Sequence, residues 1–222
     1  MKNGRHKLYK LISLILVAQF GPISRPSYSA DISTDGTVGS VQSCTGSCTI
    51  PQSWGTTKGN NLFHSFSTFN VGTGNTATFT GANTLQNVFS RVTGGSASTI
   101  NGTIDSTGIP GANFFLINPA GVVFGAGAQV NVGGDFHVST ANKIHFDDGV
   151  FNISASPLPN VGLEVSPKSF GFDSNPTGEI KIENGNLIFS NGGNVNVIGG
   201  SVTANNGSVN VSGSGNLRVY GR

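Results

Sequence analysis

The residues of this chain that could perform chemistry begin with a pair of cysteines. Cys44 and Cys48 lie in the segment CTGSC and are the only cysteines of the chain. Metal binding would require further ligands nearby, but the next histidine or cysteine along the chain is His64. The spacing also differs from the Cys-x-x-Cys of redox proteins. We therefore expect a disulfide between Cys44 and Cys48, as in exported proteins, and keep free thiols or a redox pair as alternatives.

Carboxylates and histidines offer no convincing catalytic centre. Glycoside hydrolysis needs two carboxylates a few ångströms apart, whereas Asp147 and Asp148 are adjacent and would face opposite sides of a strand. His137 and His145 lie at alternating strand positions and could be outward neighbours, but a metal ion usually needs a third ligand. We expect solvated surface histidines, no metal site, no cofactor and no enzymatic activity.

Arg91 is the basic residue with the most informative surroundings. It is one of seven basic residues that follow position 29, and we expect it either to form hydrogen bonds at a corner of the fold or to contact a partner protein. The segment from Gly125 to Gly127 lacks the helix that a phosphate-binding loop requires, and the chain has no Gly-x-Ser-x-Gly nucleophile motif. Phosphate-loop and serine-hydrolase chemistry are therefore not expected.

Short alternating segments, not helices, must position these residues. From residue 61 onward apolar and polar side chains alternate in short runs, such as FHSFSTF at 63–69 and QVNV at 129–132. Most of these runs end in glycine or asparagine, which tolerate the positive φ angles of tight turns. The pattern predicts many short strands joined by tight turns.

A longer repeat distinguishes between two all-β folds. Apolar positions recur at a nearly constant spacing of about 22 residues, which lies within the range of solenoid repeats. The recurring positions are Leu187 and Val209, Val195 and Leu217, Val122 and Ile144, and, one residue closer together, Ile117 and Val138. Three strands and three turns fill that length, so the units would stack as coils of a parallel β-helix. A β-sandwich also shows alternating strands, but it gives no reason for a constant spacing. We predict an all-β parallel β-helix over residues 61–222.

Two segments do not follow the repeat. Residues 30–60 contain both cysteines and Trp54, and we predict that they cap the N-terminal end of the helix, where strand edges and core would otherwise be exposed. Residues 156–177 contain four of the nine prolines and predict a projecting loop or side hairpin. The chain ends within a repeat unit, which favours a fragment or a truncated product.

Residues 1–29 have the pattern of a secretory signal peptide. A basic segment precedes an apolar run over residues 11–20 and small residues at the end. The run is shorter than the ~20 residues that cross a bilayer, so an uncleaved anchor is the weaker alternative. We favour cleavage after Ser29, because cleavage after Ala30 would place the bulky Tyr28 third from the cut. The remaining chain has seven basic and ten acidic side chains, a net charge of −3, which gives no reason to expect nucleic-acid binding.

Several motifs, in this order, resemble the filamentous haemagglutinin N-terminal domain, or two-partner secretion domain. They are NLFHSF at 61–66, NVFSRVTGG at 87–95, NFFLINPAGVVFG at 113–125 and VGGDF at 132–136. The family hallmark Asn-Pro-Asn-Gly-Ile is matched with Ala120 and Val122 at its third and fifth positions. Asn118, Pro119 and Gly121 retain the chemistry of a β-turn. The resemblance covers residues 31–155 and continues more loosely to residue 222.

The resemblance implies a right-handed β-helix that is secreted, or displayed on the surface, by a Gram-negative-type bacterium. The chain would cross the periplasm and then an outer-membrane β-barrel transporter with periplasmic recognition domains. This domain would be the address that the transporter recognises, with Arg91, Asn118, Pro119 and Gly121 as candidate recognition residues, and it would nucleate β-helix folding. The alternative function is an adhesin that binds cell-surface glycans. A polysaccharide-active β-helix enzyme is disfavoured for want of a carboxylate cluster.

Overall fold

The computed structural model describes residues 31–173, 178–190 and 192–221, and it contains no α-helix within them. The predicted signal peptide and its cleavage site lie outside the described residues. A 3-10 turn spans Gln52–Trp54. The strands are β1 (Asp31–Thr34), β2 (Ser43–Thr45), β3 (Cys48–Pro51), β4 (Thr56–Lys58), β5 (Asn61–Phe69), β6 (Thr76–Thr80), β7 (Asn87–Val92), β8 (Ser98–Ile100), β9 (Thr103–Asp105), β10 (Asn113–Ile117), β11 (Val122–Phe124), β12 (Gln129–Asn131), β13 (Phe136–Ser139), β14 (Lys143–Phe146), β15 (Gly149–Asn152), β16 (Pro167–Gly171), β17 (Glu179–Glu183), β18 (Asn186–Ser190), β19 (Val195–Ile198), β20 (Ser201–Asn205), β21 (Ser208–Val211) and β22 (Leu217–Tyr220).

Parallel pairing between strands that are distant in sequence builds a β-helix of about six turns, here called coils. Sheet A stacks β5, β7, β10, β13, β19 and β22, sheet B stacks β3, β6, β9, β12, β18 and β21, and sheet C stacks β8, β11, β17 and β20. Alternation decides which side chains face inward: in β6, Ala77 and Phe79 are buried while the three threonines are half-buried. The predicted all-β parallel β-helix is confirmed.

The predicted constant repeat is confirmed in the last two coils. The pairs that bear it out are Leu187 with Val209 and Val195 with Leu217. The predicted match of Ile117 with Val138 was wrong by one residue. Ile117 pairs with Ser139, and Val138 lies opposite Leu116. The interval between β10 and β13 is therefore the same as the interval between β19 and β22.

The predicted pairing of Val122 with Ile144 was wrong. Val122 of β11 pairs with Ile180 of β17, which lies one coil further along the helix. Ile144 belongs to β14, which is not part of any of the three parallel sheets. The match in spacing was accidental, because the chain leaves the helix between β13 and β17.

A side sheet occupies this excursion, which we call the insertion (residues 142–173). In it, β14 lies between β15 and β16, and both pairs are antiparallel. The insertion lengthens the coil between β13 and β19, where Phe136 pairs with Val195 although a whole side sheet separates them in sequence. Two of its three strands precede the segment 156–177 that was expected to project, and residues 174–177 lie outside the described residues.

Two apolar cores result. The inner core fills the helix with side chains from all three parallel sheets, among them Leu62, Phe79, Phe114 and Phe136. The second core, which we call the outer cluster, lies between the outer face of sheet A and the insertion. Its members are Val38, Phe63, Phe89, Phe115, Ile117, Ile144, Phe146, Phe151, Ile153 and Leu163. Sheet A is thus buried on both faces in its first coils, which explains the unbroken apolar run of β10.

The N-terminal segment covers one edge of sheet A. Both β1 and β4 pair with β5 in antiparallel fashion, and β2 extends the sheet beyond β1. Cys44 and Cys48 are joined by a disulfide at the junction of β2 and β3. The first parallel strand of sheet A therefore has hydrogen-bonding partners on its N-terminal side, which removes an exposed edge.

A ladder of asparagine side chains, with one aspartate, connects the coils beside sheet A. Its members, one per coil, are Asn61, Asn87, Asn113, Asp135, Asn194 and Asn216. The Asn87 Nδ2 donates to Asn61 Oδ1 at 2.8 Å, and further along the helix Asn113 Oδ1 accepts the backbone N–H of Asp135 at 2.9 Å. Stacked hydrogen bonds of this kind pin the register of one coil to the next.

Candidate recognition surface

The turn between β10 and β11 is organised by one buried asparagine. Asn118 is 1% exposed, its Oδ1 accepts the backbone N–H of Ala120 at 2.9 Å, and its Nδ2 donates to Ser96 O at 2.9 Å and to Ser98 Oγ at 3.0 Å. The backbone N–H of Gly121 donates to Asn118 O at 3.0 Å and closes the turn. The side chain of Asn118 is thus fully engaged within the fold.

Gly121 is required by the backbone of this turn. Its φ of 119° is one that residues with a side chain rarely adopt, and an added Cβ would lie 2.8 Å from the carbonyl oxygen of Glu179 on the next coil. Pro119 and Ala120 are the partly exposed residues of the turn. They line a cleft of about 290 Å³ between the turn and the insertion, which also contains the ion pair between Lys143 and Asp173.

Arg91 is buried rather than displayed, with 1% of its surface exposed. Although β7 brings it opposite Ile117, next to the turn, its guanidinium points under the insertion. Nε donates to Ser65 Oγ at 2.7 Å, and the two terminal nitrogens donate to Asn152 O at 2.6 Å, to Ser156 O and to Thr37 Oγ1. The hydrogen-bonding interpretation of Arg91 agrees with this placement, and the folded structure offers no route for the side chain to contact a partner.

Asp35 is the acidic counterpart of Arg91 but does not touch it. Its carboxylate accepts hydrogen bonds from Ser65, Thr37 and Thr93, and the first two hydroxyls also bind Arg91. Burial alone would raise the pKa of Asp35, but these hydrogen bonds outweigh it and lower the pKa below its usual value. Burial lowers the pKa of Arg91 to about 10, and the charge of Asp35 opposes that shift.

His64 is a buried polar residue that the sequence patterns did not single out. It is 0% exposed inside the first coil, between the rings of Phe66 and Phe79, with centroid distances of 5.9 and 5.6 Å. Neither of its ring nitrogens has a hydrogen-bond partner among the described residues, and burial lowers its pKa to about 3. Its position in LFHSF, two residues from Leu62 and from Phe66, was the signal that it faces the core.

His137 and His145 are not neighbours on adjacent coils, because His145 lies on β14 of the insertion. The expectation that His137 is a solvated surface residue was wrong. Its ring stacks on Phe115 with 4.2 Å between centroids, and burial lowers its pKa to about 4 against the opposing charge of Asp135. The outward row of sheet A is aromatic over four coils, because Phe63, Phe89 and Phe115 precede His137 in register.

The side chains of Asp147 and Asp148 each contact a different residue of the insertion. Asp147 forms an ion pair with Lys168. Asp148 Oδ2 accepts a hydrogen bond from the backbone N–H of Glu164 at 2.8 Å, and this bond is the main cause of the lowered pKa of Asp148.

Over residues 31–173, 178–190 and 192–221 no group of three or more His, Cys, Asp or Glu side chains could hold a metal ion. Within the same residues, none of the helical structure has the length and apolarity needed to cross a bilayer.

The architecture defined by these features is a β-solenoid with a side sheet packed on its outer face. The family model described as the TPS secretion domain matches residues 30–219. The chain belongs to this family, that of the two-partner secretion domains, as its motifs had indicated. The family and the β-solenoid fold are of non-enzymatic kinds, and membership makes the chain a secreted exoprotein. A search of curated proteins finds no match.

Proposed function

We propose that this domain is the secretion signal that a dedicated outer-membrane β-barrel transporter recognises through its periplasmic domains. The family supports the general role of a two-partner secretion signal. The proposal adds the place of recognition: the exposed part of the turn between β10 and β11, formed by Pro119 and Ala120. In the folded domain Asn118 and Gly121 hold that turn from beneath, and Arg91 holds the neighbouring insertion.

The observation that carries this proposal is that the buried residues of the turn hold its conformation while its partly exposed residues form its surface. Asn118 makes hydrogen bonds to three groups of its own chain, and Gly121 supplies the backbone angle. The partly exposed Pro119 and Ala120 are thereby presented in one conformation beside a cleft of about 290 Å³. A preformed surface binds with less loss of conformational entropy than a mobile loop does.

The test separates recognition from stability with two variants, each of which carries an alanine-to-arginine substitution in a different turn of the same coil. Ala120→Arg adds a bulky charge at the proposed surface and leaves Asn118, Pro119 and Gly121 in place. Ala126→Arg is the matched control, because Ala126 is exposed in the turn between β11 and β12. Each variant is co-expressed with the transporter, and the protein is quantified in the medium and in the periplasm.

We expect Ala120→Arg to accumulate in the periplasm and Ala126→Arg to reach the medium, with melting temperatures within a few degrees of the wild type. Replacing Asn118 and Pro119 together should also block export, although it removes hydrogen bonds and lowers stability as well. Normal secretion of a folded Ala120→Arg variant would remove this turn from the recognition surface.

The second part of the proposal is that the domain nucleates further β-helix. Strands β20, β21 and β22 each pair on one side only among the described strands, and Leu217, Val219 and Tyr220 are exposed in the last coil. A segment with the same period as the last coils could continue all three sheets from these edges. Appending one such coil, with an asparagine in register with Asn194 and Asn216, should raise the melting temperature, whereas the same coil with scrambled alternation should not.

A further inference from the structure

The outer cluster brings the first coils into contact with a segment that comes much later in the chain. Phe63, Phe89 and Phe115 stack along the outside of sheet A with centroids 4.9 and 4.5 Å apart. They are no more than 2% exposed, although they point away from the inner core. Phe146 and Phe151 of the insertion contact Phe63 and Phe89, with Phe151 4.9 Å from the Phe63 ring in an edge-on contact. Phe170 of the insertion lies 6.3 Å from Phe115. Without the insertion, three phenylalanine rings would face water.

The insertion is also hydrogen-bonded to the first coil, about a hundred residues earlier in the chain. Asn61 Nδ2 donates to Leu163 O at 2.8 Å and to Val165 O at 2.7 Å, across separations of 102 and 104 residues. Lys58 Nζ donates to Asn160 O at 3.2 Å. These bonds hold residues 160–165 of the insertion against the edge where the β-helix begins.

Arg91 joins the insertion to the N-terminal segment. Two of its four hydrogen-bond acceptors, Asn152 O and Ser156 O, belong to the insertion, and the others are Thr37 and Ser65. Its guanidinium also lies 5.0 Å from the centre of the Phe151 ring. If the insertion were undocked, Arg91 would lose half of its partners and its aromatic contact, while Asp35 would remain held by the same hydroxyls as before.

We propose that the insertion is a strap that completes the first three coils, so that these coils reach native protection only after residues 142–173 have docked. Arg91 is the positioning residue that couples the docked strap to the N-terminal segment. In a chain that emerges N-terminus first, the first coils would therefore be the first to appear but not the first to become stable. This inference concerns folding and does not depend on the identity of the transporter.

Amide hydrogen exchange on the domain spanning residues 30–222 tests the proposal with a matched pair of variants. Phe151→Ala removes a ring of the strap, and Phe189→Ala removes an equally buried ring from the inner core of β18; the two residues are 0% and 3% exposed. We expect Phe151→Ala to raise exchange in β5, β7 and β10 at least about tenfold and to leave β18 and β21 near wild-type protection. Phe189→Ala should show the reverse pattern.

Two outcomes would overturn the proposal. One is unchanged protection of β5 and β7 in Phe151→Ala, which would show that the first coils are stable without the strap. The other is the same exchange profile for both variants, which would show that the strap has no special relation to the first coils. If Phe151→Ala does not fold, Phe151→Leu makes the same comparison with a smaller loss of packing.

Pulse labelling during refolding of the wild type provides a second measurement that needs no substitution. Amides of β5 and β7 should gain protection in the same kinetic phase as those of β14 and β15. Earlier protection of β5 and β7 would contradict the strap role.

Discussion

Acidification should destabilise the fold through buried histidines, above all His64 of the first coil. The ring is fully buried between Phe66 and Phe79, and neither nitrogen has a partner among the described residues. Its pKa falls from 6.5 in an unfolded chain to about 3 in the fold, because burial disfavours the charged imidazolium. The unfolded state therefore takes up a proton at a pH where the folded state does not, and stability is lost as the pH falls below 6.5.

The size of the effect follows from the two pKa values. Between pH 7.5 and 5.0 the folded state stays neutral at His64, whereas the unfolded state becomes protonated once the pH has fallen below its pKa of 6.5. At about 1.36 kcal/mol per pH unit, His64 contributes a loss of about 2 kcal/mol. His137, with a pKa lowered to about 4, adds a second loss of similar size over the same range. Together they amount to a large part of the stability of an ordinary domain.

Urea unfolding at pH 7.5 and at pH 5.0 measures this loss. In His64→Leu the loss should shrink by about 2 kcal/mol, because no imidazole remains to be protonated in the unfolded chain. Stability at pH 7.5 should be unchanged or higher, since a buried polar group without a partner is removed. The lower pH of 5.0 lies above the usual range of the carboxylates, so Asp35, Asp148 and Glu179, whose lowered pKa values stabilise the fold at higher pH, contribute little.

The reasoning would be refuted if His64→Leu lost as much stability between pH 7.5 and 5.0 as the wild type does. That result would mean that His64 is protonated equally in both states, and therefore that its ring reaches water or a partner. His137→Leu is the control for the size of a single histidine contribution, and the variant with both substitutions should be nearly independent of pH in this range.

Three further predictions concern single features of the fold. Asn118→Ala should lower the free energy of unfolding by about 1–3 kcal/mol, because it leaves the N–H of Ala120 and the carbonyl of Ser96 without their partner. Urea titration measures the change. The control is Asn210→Ala at an exposed strand position, which should change the free energy of unfolding by less than about 0.5 kcal/mol. Replacing both cysteines of the Cys44–Cys48 disulfide by serine should lower the free energy of unfolding by about 2 kcal/mol, because the closed loop is short. Alkylation of the wild type without reduction should leave both cysteines unmodified in mass spectra. Phe115→Asp should abolish the cooperative thermal transition seen by circular dichroism, because it buries a carboxylate at a site that is 2% exposed, and an unaltered melting curve would place this residue outside the packed cluster.

The sequence determined the repeating part of the fold because that part depends on local order. Alternation places every second side chain inside, and in the last coils a constant interval returns an apolar residue to the same place one coil later, as in Leu187 and Val209. Glycine and asparagine mark the turns for reasons of backbone geometry. The turn that Asn118 and Gly121 build was singled out by its match to the family motif, and their turn chemistry agreed with it.

The tertiary structure alone decided where the chain leaves the helix and what that excursion covers. Ile144 matched the repeat in type and spacing, yet it lies in a side sheet, because a pattern of residues does not show which distant segment a strand will pair with. Arg91 stands at an outward strand position that would ordinarily face solvent. It is buried because Asn152 and Ser156, 61 and 65 residues later, fold back over it, and such long-range contacts leave no periodic trace in the sequence.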